Sequence, residues 1–249
     1  MTDKRKFFVL PALLLLAAGC NSFRTQTYVD GLAMPLREGS QDSLFFDISL
    51  EYAVKGLPED VIGTMNGNIL TLAFDLEDAP GDIEETAVRY RENLVDQYFS
   101  ENEKATLEPG FATWEDRIGG MFAQPYKDWM NYQMAYYSYR GGVHGVQTLT
   151  NLVFDKQTGR SLTEEDLLAP GYAGPLTALL YGRIIENLDK EDESLAELVE
   201  KDWVTANGNF SVGADGVTWY FQPYEIGPYA LGVVTATLSW EELKPLLKP

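Results

Sequence analysis

The 249-residue chain has one cysteine, Cys20, and one histidine, His144. A lone thiol cannot close a disulfide within the chain, so stability has to come from packing. One imidazole excludes a zinc site built on two or three histidines, and no second thiol is there to complete one. Neither an Asp-x-Asp-x-Asp-Gly calcium loop nor a Gly-x-Ser-x-Gly elbow occurs, so no metal, no cofactor and no catalytic residue is expected. Basic residues are scarce as well, 19 against 38 acidic ones, for a net charge of −19. Such a surface repels a phosphate backbone, which excludes nucleic acid as a partner and leaves basic proteins or cations as attracted ones. Long apolar runs are also missing: the one from Phe7 to Leu16 is about ten residues, too short to span a bilayer as a helix.

That short run has a context. Lys4, Arg5 and Lys6 precede it, and Leu16-Ala17-Ala18-Gly19-Cys20 closes it. Basic, apolar and small-residue parts in this order make a secretory signal, and the terminal cysteine makes it a bacterial lipoprotein signal. Residues 1–19 are therefore expected to be removed and Cys20 to be lipidated, tying the protein to the bilayer of the cell envelope. The 230 residues that remain hold 16 bases and 37 acids, a net charge of −21, so fatty chains rather than basic side chains would hold the membrane. Asn21 and Ser22 after the cysteine are not acids; in a Gram-negative host this points to the outer membrane.

The rest of the chain is 45% apolar and 12% aromatic over its full length, a globular composition. Residues 20–43 are polar with scattered Gly and Pro35, and read as a tether. Leu44 to Tyr52 alternates as a half-buried strand. Helices are expected from Pro58, over Asp82 to Asn102, over Pro175 to Leu188, and from the Ser239 capping box to about Leu247. Strands are expected at Phe111 to Phe122, Met130 to Tyr139, Val146 to Phe154, Asn209 to Val212, Val217 to Phe221 and Ala230 to Leu238. The mixture lacks a regular βαβ alternation, so the expected class is α+β with a mostly antiparallel sheet and packed helices. Two intimately joined lobes, 44–144 and 145–249, are expected to meet near Gly145.

Two segments stand out, Tyr139-Arg140-Gly141-Gly142-Val143-His144-Gly145 and Phe221-Gln222-Pro223-Tyr224-Glu225-Ile226-Gly227-Pro228-Tyr229-Ala230. In the second, two prolines fix φ and Gly227 permits a turn, which makes a rigid connector between strands. Tyr224, Glu225 and Tyr229 at its tip have two readings: tyrosines packed on the sheet edge with Glu225 satisfying loop N–H groups, or a displayed contact surface. His144 likewise reads either as a loop histidine bonded to backbone near the glycines or as a base beside Ser138 or Asp155. Among the many carboxylates, Asp155 and Glu225 are the first pair to consider for glycoside hydrolysis, which needs two such groups about 5 to 10 Å apart.

At these two segments the chain resembles the extracellular domain of unknown function found in the lysozyme-sensing anti-sigma factor RsiV and beside polysaccharide-deacetylase domains of the PdaC type. Asn151 to Thr163 and Asp166-Leu167-Leu168 add to the likeness, which covers about Tyr136 to Leu247 and, more loosely, the segment from Leu44. The resemblance implies an envelope-facing, non-catalytic module, in one branch a lysozyme-binding one, with residues 44–144 as the companion domain and 145–249 as the RsiV-like lobe. RsiV-like proteins add a membrane-spanning helix and a cytoplasmic segment, neither of which follows the signal in this sequence, so binding or sequestration is expected rather than transmembrane signalling.

The first functional expectation is therefore a lipid-anchored envelope binding module that takes lysozyme or peptidoglycan through Tyr139, His144, Tyr224, Glu225 and Tyr229. A carbohydrate-active enzyme working through the carboxylate pair, and an assembly lipoprotein with no small ligand, are the rivals.

Overall fold

The computed structural model describes residues 22–76, 81–103 and 111–249. The signal segment 1–19 and Cys20 lie outside them. The described residues form an α+β fold with a five-stranded, mostly antiparallel sheet and a three-stranded antiparallel sheet. The large sheet has the order β1 (Arg24–Pro35), β2 (Ser43–Lys55), β3 (Trp114–Phe122), β4 (Trp129–Tyr139), β5 (Val146–Asp155). Only β2 and β3 run parallel, because α1 (Glu59–Phe74) and α2 (Ile83–Asn102) carry the chain back between them.

Alternation explains which face the helices cover. Leu44, Phe46, Ile48 and Leu50 of β2 are buried while Phe45, Asp47 and Ser49 are exposed, so one face meets the helices and the other faces water. Pro58 precedes the first turn of α1, where Glu59 and Asp60 sit at the positive end of the helix dipole. Asp82 caps α2 by accepting from Glu84 N at 2.8 Å and Glu85 N at 3.1 Å, a cap worth about 1 kcal/mol. Met65, Ile69, Leu94 and Tyr98 then pack with Phe46, Ile48 and Trp114 in one core.

A second core lies under the small sheet of β6 (Phe210–Val212), β7 (Gly216–Phe221) and β8 (Val234–Ser239). Leu176, Leu180, Ile184 and Leu188, all on one face of α4 (Ala173–Glu191), pack with Trp219, Ala236 and Leu238. Glu164, in α3 (Glu164–Leu167), is buried there and accepts from Trp219 Nε1 at 2.8 Å and Gly208 N at 3.1 Å, which accounts for a carboxylate in that core. A short helix, α5 (Glu193–Ala196), follows α4.

Amide side chains join the lobes. Asn209 bonds Leu149 O and Asn151 N, Gln222 bonds both N and O of Leu149, and Asn131 bonds both O and N of Val212.

Four expectations are corrected. The tether over residues 20–43 gives way from Arg24 to β1, which pairs with β2 along its length; polar Thr25, Gln26 and Thr27 suit a half-exposed edge strand as well as a linker. The boundary at Gly145 moves beyond β5, because β5 pairs with β4 from Val146 to Asp155 and completes the N-terminal sheet. The last helix, α6 (Trp240–Leu243), stops well before Leu247, since Pro245 has no N–H to continue it. The final strand begins at Val234 rather than Ala230, because Gly232 adopts φ +62° after a 3₁₀ turn over Tyr229–Leu231.

Thr163 and Asp166 form the expected capping box on α3. Arg160 clamps Asp166 with two bonds, at 2.9 and 2.7 Å, and Thr163 N donates to it at 2.8 Å. The Arg160 guanidinium first, and the Thr163 groups with it, hold the Asp166 carboxyl well below the usual carboxylate range. A depressed folded-state pKa adds stability above the unfolded value of about 3.9, and that stability is lost as pH falls toward the folded one. Denaturant unfolding should therefore find Asp166→Asn less stable than the native chain at pH 7, with the gap closing below about pH 4.

Candidate functional site

The loop from Arg140 to Gly145, between β4 and β5, is fixed from below by an ion pair whose carboxylate is fully buried. Asp116 of β3 has a fully buried side chain and accepts both guanidinium nitrogens of Arg140, at 2.6 and 2.7 Å. Tyr136 and Tyr90 hydroxyls donate to its two oxygens at 3.1 and 3.3 Å, so the carboxylate is satisfied by four donors. Burial, and then the charge of Asp116, push the Tyr90 hydroxyl well above the ordinary phenol range, which keeps it a donor. The guanidinium also lies over the Trp114 ring, 4.7 Å from its centroid. Gly141 follows with φ +80°, and a Cβ there would sit 2.1 Å from Phe111 O, so glycine is required for the loop to leave Arg140 in this direction.

The second segment is fixed by its own carboxylate. Glu225 accepts from Gln222 N and from Asn207 Nδ2, each at 2.7 Å, which leaves it a loop fastener. The turn it holds places Tyr224 at φ +70°, a left-handed conformation rare for a side-chain-bearing residue and costly by about 1–2 kcal/mol. The result is an exposed corner. The His144 and Tyr229 rings stack with centroids 4.3 Å apart and 22° between planes, and the Tyr224 ring lies 5.4 Å from Tyr229. His144 Nδ1 and Tyr229 Oη both point to Gly145 O, at 3.0 and 3.3 Å. Tyr224 is 53% exposed and Tyr229 38%, so the rings present faces to solvent.

Of the five residues expected at the site, His144, Tyr224 and Tyr229 come together. Tyr139 does not join their stack; its hydroxyl donates to Gly142 O at 2.9 Å and braces the glycine loop. Glu225 lies beneath the corner as described. The Asp155–Glu225 pair does not form: Asp155 caps a turn by accepting from Gln157 N and Thr158 N, both at 2.8 Å. It stands about 20 Å along β5 from Leu149, to which the Gln222 corner is fastened. His144 has contacts to Gly145 O and, at 3.5 Å, to Tyr224 Oη, and these do not include Ser138 or Asp155.

The expected site does not include Asp116, which carries the loop, although the alternation of β3 marks it: Asp116 falls in phase with buried Trp114 and Ile118. Its partner, Arg140, is set only by the fold.

The uncovered face of the large sheet runs up to this corner. A shallow depression lined by Val29, Ser49, Arg117, Gly119, Ala135 and Tyr137 crosses it. Tyr137 lies against Gly145, where a Cβ would come 2.4 Å from its hydroxyl oxygen. Among the described residues no group of His, Cys, Asp and Glu is arranged to hold a metal, and no helix is long and apolar enough to cross a membrane.

Residues 165–241 match the family described as Protein of unknown function (DUF3298), so this part of the chain is a DUF3298 domain. The fold as a whole is similar to the crystal structure of a DUF3298 family member from Bacteroides fragilis, at 22% identity and a TM-score of 0.81 over 92% of this chain and 95% of that one. It is also similar to a DUF3298 family protein from Pseudomonas aeruginosa, at 16% identity and a TM-score of 0.67 over 92% and 95% of the two chains. No curated protein matches the chain.

Proposed function

We propose that the chain is a lipid-anchored, non-catalytic binding module of the bacterial envelope, RsiV-like in kind, whose His144–Tyr224–Tyr229 corner grips a basic protein of the lysozyme type. The observation that carries this reading is the corner itself: two segments about eighty residues apart are each held by internal bonds so that three rings meet in the open. Tyrosines offer large contact area at low entropy cost, which suits a protein partner. Charge supports the choice of partner. Glu197, Glu200 and Asp202 are exposed on the segment that joins the corner through Glu200 N and Ile226 O, 2.9 Å apart. Lys201 among them is drawn over the Tyr181 ring, 5.3 Å from its centroid.

Calorimetric titration of residues 22–249 with lysozyme tests the reading. Binding is expected at low salt and should weaken at least tenfold at about 0.5 M salt, because a charge-steered contact is screened. Absence of binding at low salt overturns it. Co-sedimentation with purified peptidoglycan instead, lost in Tyr229→Ala, would give the corner to the glycan.

A further inference from the structure

We propose that the end of the large sheet carrying Phe23, Lys55 and Lys127 rests on the bilayer, and that the aromatic corner is thereby displayed about 30 Å away, on the side facing away from the membrane. This rests on lipidation of Cys20, and goes beyond it in fixing which way the body stands.

Reach limits how the body can stand. Two residue steps separate Cys20 from Ser22, at most about 7 Å. From there the chain is held: the Phe23 ring packs edge-on against Phe122, centroids 5.0 Å apart. Gly56 lies so close that a Cβ on it would be 2.4 Å from Phe23 Cα and 2.6 Å from Ser22 O. A flexible tether of twenty residues would let the body take any orientation; two residues leading to a clamped phenylalanine do not.

Strand register places the anchor and the corner at opposite ends of the sheet. Arg24 pairs with Lys55, Gln26 with Tyr52, Phe122 with Tyr132, and Tyr132 with Leu152. The exit point, the β3–β4 turn with Lys127 and Asp128, and the Asp155 end of β5 therefore share one end of the sheet. Pro35, Ser43, Tyr139 and Val146 share the other, and Gly145 and His144 lie just beyond Val146. About nine strand residues at about 3.3 Å each separate the two ends.

The lower end carries aromatic rings and a lysine. Tyr126, Trp129 and Trp240 cluster there, with Tyr126 and Trp240 stacked at 5.4 Å. Lys127 Nζ is 4.9 Å from the Tyr126 ring centroid and 5.9 Å from that of Trp240. Half-buried indoles and phenols capped by a lysine match the chemistry of a headgroup layer. Glu59, Asp60 and Asp128 share this end, so the surface it fits is a bilayer approached through the fatty chains, without need of anionic lipid.

The test uses the full lipidated protein. Once Cys20 carries lipid the chain holds no other thiol, so Asp128→Cys and Val143→Cys each introduce a single labelling site, the second at a residue 98% exposed beside the corner. With a fluorophore on the thiol and an acceptor on the headgroups of phosphatidylcholine vesicles, energy transfer should be several-fold greater from position 128 than from position 143. Equal transfer, or greater transfer from 143, in protein that co-sediments with the vesicles overturns the orientation alone. Failure to co-sediment removes the anchor and the orientation together.

Discussion

Arg140→Ala is expected to destabilise the folded chain by about 3 kcal/mol, seen in thermal unfolding as a fall in Tm of about 6–12 °C for a protein of this size. The cause lies in Asp116, not in the arginine. With its side chain at 0% exposure, Asp116 would keep only the Tyr90 and Tyr136 hydroxyls, and a buried carboxylate without its cation is an uncompensated charge. The figure sits at the lower end of the range for broken buried pairs because the Arg140 side chain is itself 36% exposed, and water would enter the vacated space. Arg140→Lys should recover part of the loss, since an ammonium restores charge but not the two-pronged geometry. Replacing both partners in Asp116→Asn/Arg140→Ala should cost less than the sum of the single changes. Additive losses would show that the pair does not couple the loop to the sheet.

Tyr229→Ala should weaken the proposed binding of a lysozyme-type partner by about 30-fold or more, the scale of a central aromatic contact residue. Two things are lost at once: the exposed ring face, and the stack that holds the imidazole 4.3 Å away. The folded state should change little, by under about 1 kcal/mol, because the ring is partly solvated and its hydroxyl bond to Gly145 O is long at 3.3 Å. His144→Ala should act in the same direction with a smaller effect, through the freed Tyr229. Affinity within twofold of the native chain in both variants, with unaltered unfolding, would remove the corner as the contact surface.

The fold was legible wherever one periodicity dominated. Phe46, Ile48 and Leu50 announce β2, Ala87, Leu94 and Tyr98 announce α2, and the capping boxes at Thr163 and Ser239 mark two helix starts. What stayed hidden depends on partners distant in the chain. Arg24–Pro35 became β1 because β2 offers an edge; Thr25, Thr27, Tyr28 and Val29 are its local strand formers, diluted by Gln26, Asp30 and Gly31 to the look of a linker. Gly141, Gly142 and Gly145 look like a seam between lobes, yet they serve a connection between two neighbouring strands of one sheet. At the site, residue types pointed to His144, Tyr224 and Tyr229, and Glu225 takes the loop-fastening role that was one of its two readings, whereas the pairing of Asp116 with Arg140 follows from the fold alone.

The amide side chains that join the lobes also decide which margin of the sheet is open to strangers. Asn209 and Gln222 occupy the outward N–H and C=O of Leu149 and the N–H of Asn151, so they imitate a sixth strand without being one. No foreign strand can zip onto β5 there, and the template for edge-to-edge aggregation is blunted on that side. Among the described residues, β1 is the other edge of this five-stranded sheet and pairs only with β2. On this sheet, fibril-like association or capture of an extended peptide by strand addition would therefore begin along Arg24–Pro35, where Pro35 supplies no donor at the far end.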